Sequence, residues 1–131
     1  MTLPLVLTMA DSVVLLDDES IPLWVRIEEC MRLLDVALKE AKKRGAHMVD
    51  MECQYYTAKA NECFALLEAG HANTFIQQVI KGRPSVAEAM KNYHAAEVEY
   101  KNANEAINAM KAKLRVLENE QEREWEQARR S

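Results

Sequence analysis

After Pro84 the chain contains neither glycine nor proline, and its apolar residues recur at every seventh position along nearly all of that stretch. Val86, Tyr93, Tyr100, Ile107, Leu114 and Gln121 form one series, and Ala89, Ala96, Ala103, Met110, Leu117 and Glu124 form a second, interleaved with it in steps of three and four. This pattern keeps a seam on one side of an α-helix and does not suit a strand, whose side chains alternate with a period of two. A helix over residues 85–129 is roughly 65 Å long at about 1.5 Å per residue. A compact globule of 131 residues does not need so long an element, so the helix requires other helices to pack along it. Its first half sets aromatic or branched residues against three alanines, which allow close approach. The middle turns to larger aliphatics, and the last heptad is polar.

The rest of the chain also reads as helix. Three glycines and three prolines in a chain that is 49% hydrophobic leave little room for the turns of an all-β fold. Ser20 and Pro22, preceded by Asp17, Asp18 and Glu19, predict a helix start. The first helix then spans residues 21–44, with Leu23, Ile27, Cys30, Leu34, Ala37 and Ala41 facing inward and Trp24, Met31 and Leu38 widening that stripe. Lys42, Lys43 and Arg44 before Gly45 read as a basic last turn and its cap. A second helix is expected over 48–69, with Val49, Cys53, Tyr56, Ala60, Cys63 and Leu67 inward and Gly70 as its cap. Asn73 is placed to cap a short third helix over 73–81, carrying Phe75, Ile76, Val79 and Ile80 and stopped by Gly82 in a tight turn. Ser85 with Glu88 three residues on has the form of a capping box for the last helix. Residues 1–20, with Pro4, a Leu- and Val-rich run and an acidic cluster, read as an N-terminal arm with no element assigned. The fold class is all-α, a helical hairpin or bundle with one long C-terminal coiled-coil helix over a helical domain of residues 21–131.

Composition and motifs narrow the function mainly by exclusion. Seventeen basic against 21 acidic residues give a net charge of -4, which disfavours a dedicated nucleic-acid binder. The best basic face is Lys101, Lys111, Lys113 and Arg115, with Asn104 and Asn108 between them and Glu105, Glu118 and Glu120 diluting it. It is the candidate face for single-stranded nucleic acid. The three cysteines, Cys30, Cys53 and Cys63, form no CxxC pair and lie in the apolar series, so they read as small hydrophobes in a reducing, cytoplasmic setting. The apolar run Leu3–Leu16 has no basic residue before it, is broken by Asp11, and is too short to span a bilayer. His47, His71 and His94 share no helical face, and no HExxH occurs, so neither a metal nor a cofactor is expected. Glu97 with Glu99, and Glu118 with Glu120 and Glu122, are spaced by two and point apart on a helix, unlike a catalytic carboxylate pair. With no GxSxG and no phosphate-cradling glycine loop, the chain reads as a non-enzyme. Beyond about Lys111 the last helix has no partner within the chain unless the first helix reaches it. Tyr100, Ile107, Met110, Leu114, Leu117 and Trp125 are therefore the candidate interface of a homodimer or higher oligomer.

Three segments carry a resemblance. At Tyr55-Tyr56-Thr57-Ala58-Lys59-Ala60, at Asn73-Thr74-Phe75-Ile76-Gln77-Gln78-Val79-Ile80-Lys81-Gly82, and at Ala96-Glu97-Val98-Glu99-Tyr100-Lys101-Asn102-Ala103-Asn104-Glu105-Ala106-Ile107-Asn108, the sequence resembles small helical accessory proteins encoded by bacteriophages and prophages. The similarity covers residues 53 to 127 and includes no catalytic signature. It implies an early-expressed phage protein in the host bacterial cytoplasm that binds and modulates a bacterial or phage protein, as an inhibitor of host defence. The alternative it implies is a recombination or replication accessory that contacts single-stranded DNA.

Overall fold

The computed structural model describes residues 14–131, which contain helices and turns and no strand. Of the arm expected over residues 1–20, residues 1–13 lie outside the described residues. The elements are α1 (Leu23–Glu68), α2 (Asn73–Val79), a 3-10 turn (Ile80–Gly82) and α3 (Pro84–Arg130). They build two units, one from the chain up to Glu40 together with Asn104–Ser131, the other from Ala41–Ala103. The fold is all-α, and in each unit α1 runs antiparallel to α3.

The two helices expected over 21–44 and 48–69 are in fact one. Gly45 is not a cap: among the described residues only Gly70 has positive φ, and α1 runs through Gly45 without a break. The reason lies in the neighbouring helix. A Cβ at Gly45 would sit 3.2 Å from Cε1 of Tyr100, so the missing side chain makes room for a tyrosine ring. Arg44 donates from Nη1 to the Glu99 carbonyl (3.2 Å) and fastens the same point. Glycine inside a helix costs roughly 0.5–1 kcal/mol relative to alanine, and this local packing offsets that cost.

In the first unit the core is Leu16, Leu23, Cys30, Leu33, Met110 and Leu117, with Ile27, Leu34 and Leu114 packed against it. The inward series predicted for the first half of α1 holds, but its widening is on the opposite side. Trp24, Met31 and Leu38 are exposed, while Arg26 and Leu33 are buried because the chain before α1 packs there and seats Leu16 in the core. That chain is held by its own polar contacts. Asp18 accepts from both the backbone N–H and the hydroxyl of Ser20 (2.9 and 2.6 Å), which holds the Asp18 carboxyl below its ordinary pKa, and Asp17 pairs with Lys113. Ser20 therefore does not cap α1; the carbonyl of Pro22 accepts the first helical bonds, from Val25 and Arg26.

In the second unit Tyr55, Leu66, Ile76, Ile80 and Val86 are buried together, supported by Ala58, Cys63, Val79, Ala89, Met90 and Tyr93. Because α1 does not restart after Gly45, its inward register carries on from Ala41 through Met48, Tyr55 and Leu66. The expected series Val49, Cys53, Tyr56, Ala60 and Leu67 is turned outward, and Cys63 alone of it is half-buried. At the end of α1 Gly70 has φ +88°. The N–H of Gly70 bonds the carbonyl of Leu67 (3.0 Å), and that of His71 bonds Leu66 (3.1 Å). This is the paired-bond ending that a left-handed glycine permits, as predicted.

The α1–α3 connection departs from prediction in its capping. Ala72, not Asn73, occupies the cap position of α2, and no side chain bonds there. The helix expected over 73–81 ends as α2 at Val79 and passes into the 3-10 turn Ile80–Gly82, where Gly82 does not have positive φ. No capping box forms at Ser85. The Arg83 carbonyl accepts from the N–H of Ala87 (2.8 Å) and Pro84 takes the first helical position, where its missing N–H costs nothing. Ser85 and Arg83 both donate to the Glu62 carboxylate instead, at 2.8 and 2.9 Å, and hold its pKa below the ordinary value, Ser85 contributing most.

Candidate interaction surfaces

The seam of α3 is used up within the chain. Val86, Ala96, Ala103, Ile107, Met110 and Leu117 are buried, and Ala89, Tyr93, Tyr100, Leu114 and Gln121 are half-buried. Of the residues expected at an oligomer interface, Ile107, Met110 and Leu117 are thus interior, Leu114 packs on the same core as Met110 and Leu117, and Tyr100 faces Gly45. Only Trp125 remains exposed. The physical reason is the uninterrupted α1, whose first turns pack on Leu114 and Leu117, beyond Lys111. Cys30 marks this pairing: its thiol lies 3.6 Å from the Met110 carbonyl, and burial, with the Glu118 charge second, pushes its pKa up.

The four basic residues proposed for nucleic acid are divided between the two units. Lys111 and Arg115, four apart and exposed, share a face in the first unit. Lys113 is turned to Asp17, and Lys101 belongs to the second unit. The histidines stay apart as well: His94 pairs with Glu97 at 2.8 Å and His71 stacks on Phe75 with ring centroids 4.8 Å apart. Among the described residues, no group of three or more His, Cys, Asp or Glu side chains is arranged to hold a metal ion. No helix among them is long and apolar enough to cross a membrane.

Most of the large apolar side chains that the packing leaves exposed lie on α1. In the first unit Trp24, Met31 and Leu38, seven residues apart, are 60%, 56% and 46% exposed. In the second unit Val49, Tyr56, Phe64 and Leu67 are all more than half exposed, with Cys53 and Ala60 also exposed among them. The sequence pointed to most of these residues but assigned them to the interior, because periodicity finds an apolar stripe without saying which of two stripes meets the partner helix. Phe64 was missed altogether, since it lies outside both counted series.

A second feature lies at the start of α1. Trp24 and Trp125, both 60% exposed, line a cleft of about 510 Å³ together with Pro22, Glu19, Glu124 and Arg26. Arg26 is buried and already engaged. Its Nε donates to the Ile21 carbonyl (3.0 Å) and its Nη1 to that of Leu16 (3.5 Å), and Nη1 lies 3.9 Å from the Glu120 carboxylate. No family model, curated protein or solved structure matches the chain.

Proposed function

We propose that the chain is a non-enzymatic helical interaction protein that uses the outward apolar stripes of α1 to pack against helices of other chains, a second copy of itself first. The observation that carries this reading is the regular spacing of Trp24, Met31 and Leu38 on a face that the chain's own core does not cover. Scattered exposed hydrophobics are ordinary on a protein surface, whereas a run at heptad spacing is the pattern that pairs one helix with another. The resemblance to phage-encoded helical proteins supplies the setting: in the bacterial cytoplasm the assembled protein occupies a surface of a bacterial or phage protein and so inhibits host defence.

Light scattering on a sizing column tests the assembly. The wild-type chain is expected above its monomer mass of 15.0 kDa. Met31→Glu with Leu38→Glu, and separately Tyr56→Glu with Leu67→Glu, are expected to lower the mass while leaving the helical circular dichroism intact. A wild-type mass of 15.0 kDa at every concentration would reject self-association. Added single-stranded DNA is expected to leave elution unchanged; a salt-sensitive complex would replace this reading with the recombination accessory one. Pull-down from infected cells with wild type against the same variants then reads whether a target depends on the stripe.

A further inference from the structure

We infer that the cleft flanked by Trp24 and Trp125 binds the cationic side chain, arginine or lysine, of a partner protein. The inference rests on the reading of the chain as an interaction protein and names the chemistry that one partner presents. Its first ground is the lining: two indoles border one cleft of about 510 Å³, and each keeps more than half its surface open. Tryptophan offers the most favourable aromatic face to an ammonium or guanidinium group, and a planar guanidinium can also stack on it.

The second ground is charge. Glu19 and Glu124 line the same cleft. Among the described residues the one cationic group in the lining, Arg26, is 8% exposed, bonded to two carbonyls and matched by Glu120. The lining carboxylates therefore outnumber the positive charge, and an anion would meet Glu19 and Glu124 beside a guanidinium that is 8% exposed and already faces Glu120. The fixed guanidinium acts instead as a brace. By bonding the Ile21 carbonyl it holds the turn before α1, which carries Glu19 and Pro22, against the helix that carries Trp24.

Both tryptophans of the chain lie in this lining, so tryptophan emission, excited apart from the four tyrosines, reports on the cleft, and Met31→Glu with Leu38→Glu removes the contribution of assembly at Trp24. The full chain is titrated at physiological salt with blocked tri-arginine and tri-lysine peptides, with tri-glutamate as the comparison. A saturable change in emission is expected with the cationic peptides and not with tri-glutamate. The midpoint is expected to weaken about tenfold in Trp125→Leu and in the pair Glu19→Gln with Glu124→Gln. The pair Asp50→Asn with Glu88→Gln removes the same charge from the second unit and is expected to titrate like wild type. No saturable change, or equal weakening in both charge pairs, overturns the proposal, the latter by showing attraction to the acidic chain as a whole. Met31→Glu with Leu38→Glu separates the two readings. Intact titration with lost assembly leaves the cleft standing, and a silent cleft in a chain that still assembles rejects the cleft alone.

Discussion

Replacing Leu117 with alanine measures how far α3 depends on its own chain. The side chain is fully buried in a cluster with Leu16, Leu23, Cys30 and Leu33 of α1 and the segment before it and with Met110 of its own helix, so little of the space it vacates can close. Leu→Ala at such sites costs about 2–5 kcal/mol, and a position this enclosed on three segments falls near the middle, at about 3 kcal/mol. Unfolding entropy is about 2.1 cal/mol/K per residue, which for 131 residues gives roughly 0.28 kcal/mol/K. The melting midpoint should therefore drop by about 11 °C. Thermal melts followed by circular dichroism, for wild type and variant over a series of dilutions, read both the size of the drop and its origin. Because the packing is intrachain, the gap between the two curves should stay constant on dilution even if both midpoints move with self-association. A drop below about 1 kcal/mol, or a gap that widens with protein concentration, would mean that Leu117 is buried between chains and that the seam assignment is wrong.

Three further outcomes follow from other parts of the fold. Gly70→Ala forces a side chain onto φ +88° and should lower stability by about 1 kcal/mol, whereas Gly82→Ala, with open space around its Cβ and no positive φ, should stay within about 0.5 kcal/mol of wild type; paired denaturant titrations check both. Glu62→Gln should be less stable than wild type at neutral pH. The Glu62 carboxyl is depressed in the folded chain by Ser85 and Arg83, so its contribution is present above the unfolded-state pKa and disappears as pH falls through the folded one; urea melts of both proteins should converge in acid, and a gap that persists there would refute the pairing. Of the three thiols, exposed Cys53 should react with a maleimide first and Cys30 last, since Cys30 is buried and its pKa is raised; mass spectrometry of timed samples gives the order, and early labelling of Cys30 would contradict its burial.

Much of the fold was legible in sequence wherever one residue type has one physical meaning. The seam from Val86 to Gln121 and the left-handed ending at Gly70 were both readable, the first because a heptad repeat over many turns suits no other element and the second because glycine tolerates positive φ. Gly45 misled because glycine has two uses in helical proteins, ending a helix or admitting a neighbour, and only the Tyr100 ring beside it tells them apart. A break at Gly45 also shifts the register of the second half of α1, placing Val49, Tyr56 and Leu67 inward, each one residue from Met48, Tyr55 and Leu66, which turn inward. Ser85 shows the same limit in polar form. Its spacing to Glu88 suited a capping box, but the helix begins at Pro84, so Ser85 lies inside the first turn and its hydroxyl donates to Glu62, distant in sequence. The Trp24 and Trp125 cleft was half visible, since Trp125 stood out among charges, but nothing in a linear reading joins residues at opposite ends of a chain.

The two units differ in how much chain their contacts must enclose. In the unit of Ala41–Ala103, Ser85 and Arg83 meet Glu62 across 23 and 21 residues; in the other, Cys30 meets Met110 across 80 and Lys113 meets Asp17 across 96. Closing a flexible loop costs about (3/2)RT ln n, so a contact across 96 residues costs roughly 1.3 kcal/mol more than one across 23 when each forms first from the open chain. The order that avoids the difference begins at the α1–α3 connection and zips outward, each turn of paired helix shortening the loop the next must close. The middle of the chain is then the natural site of nucleation, and Leu16, Trp24 and Trp125 belong to the last segments to find their places. A substitution that slows only this final closure would leave the second unit formed while Leu16 and Leu117 of the first were still exposed.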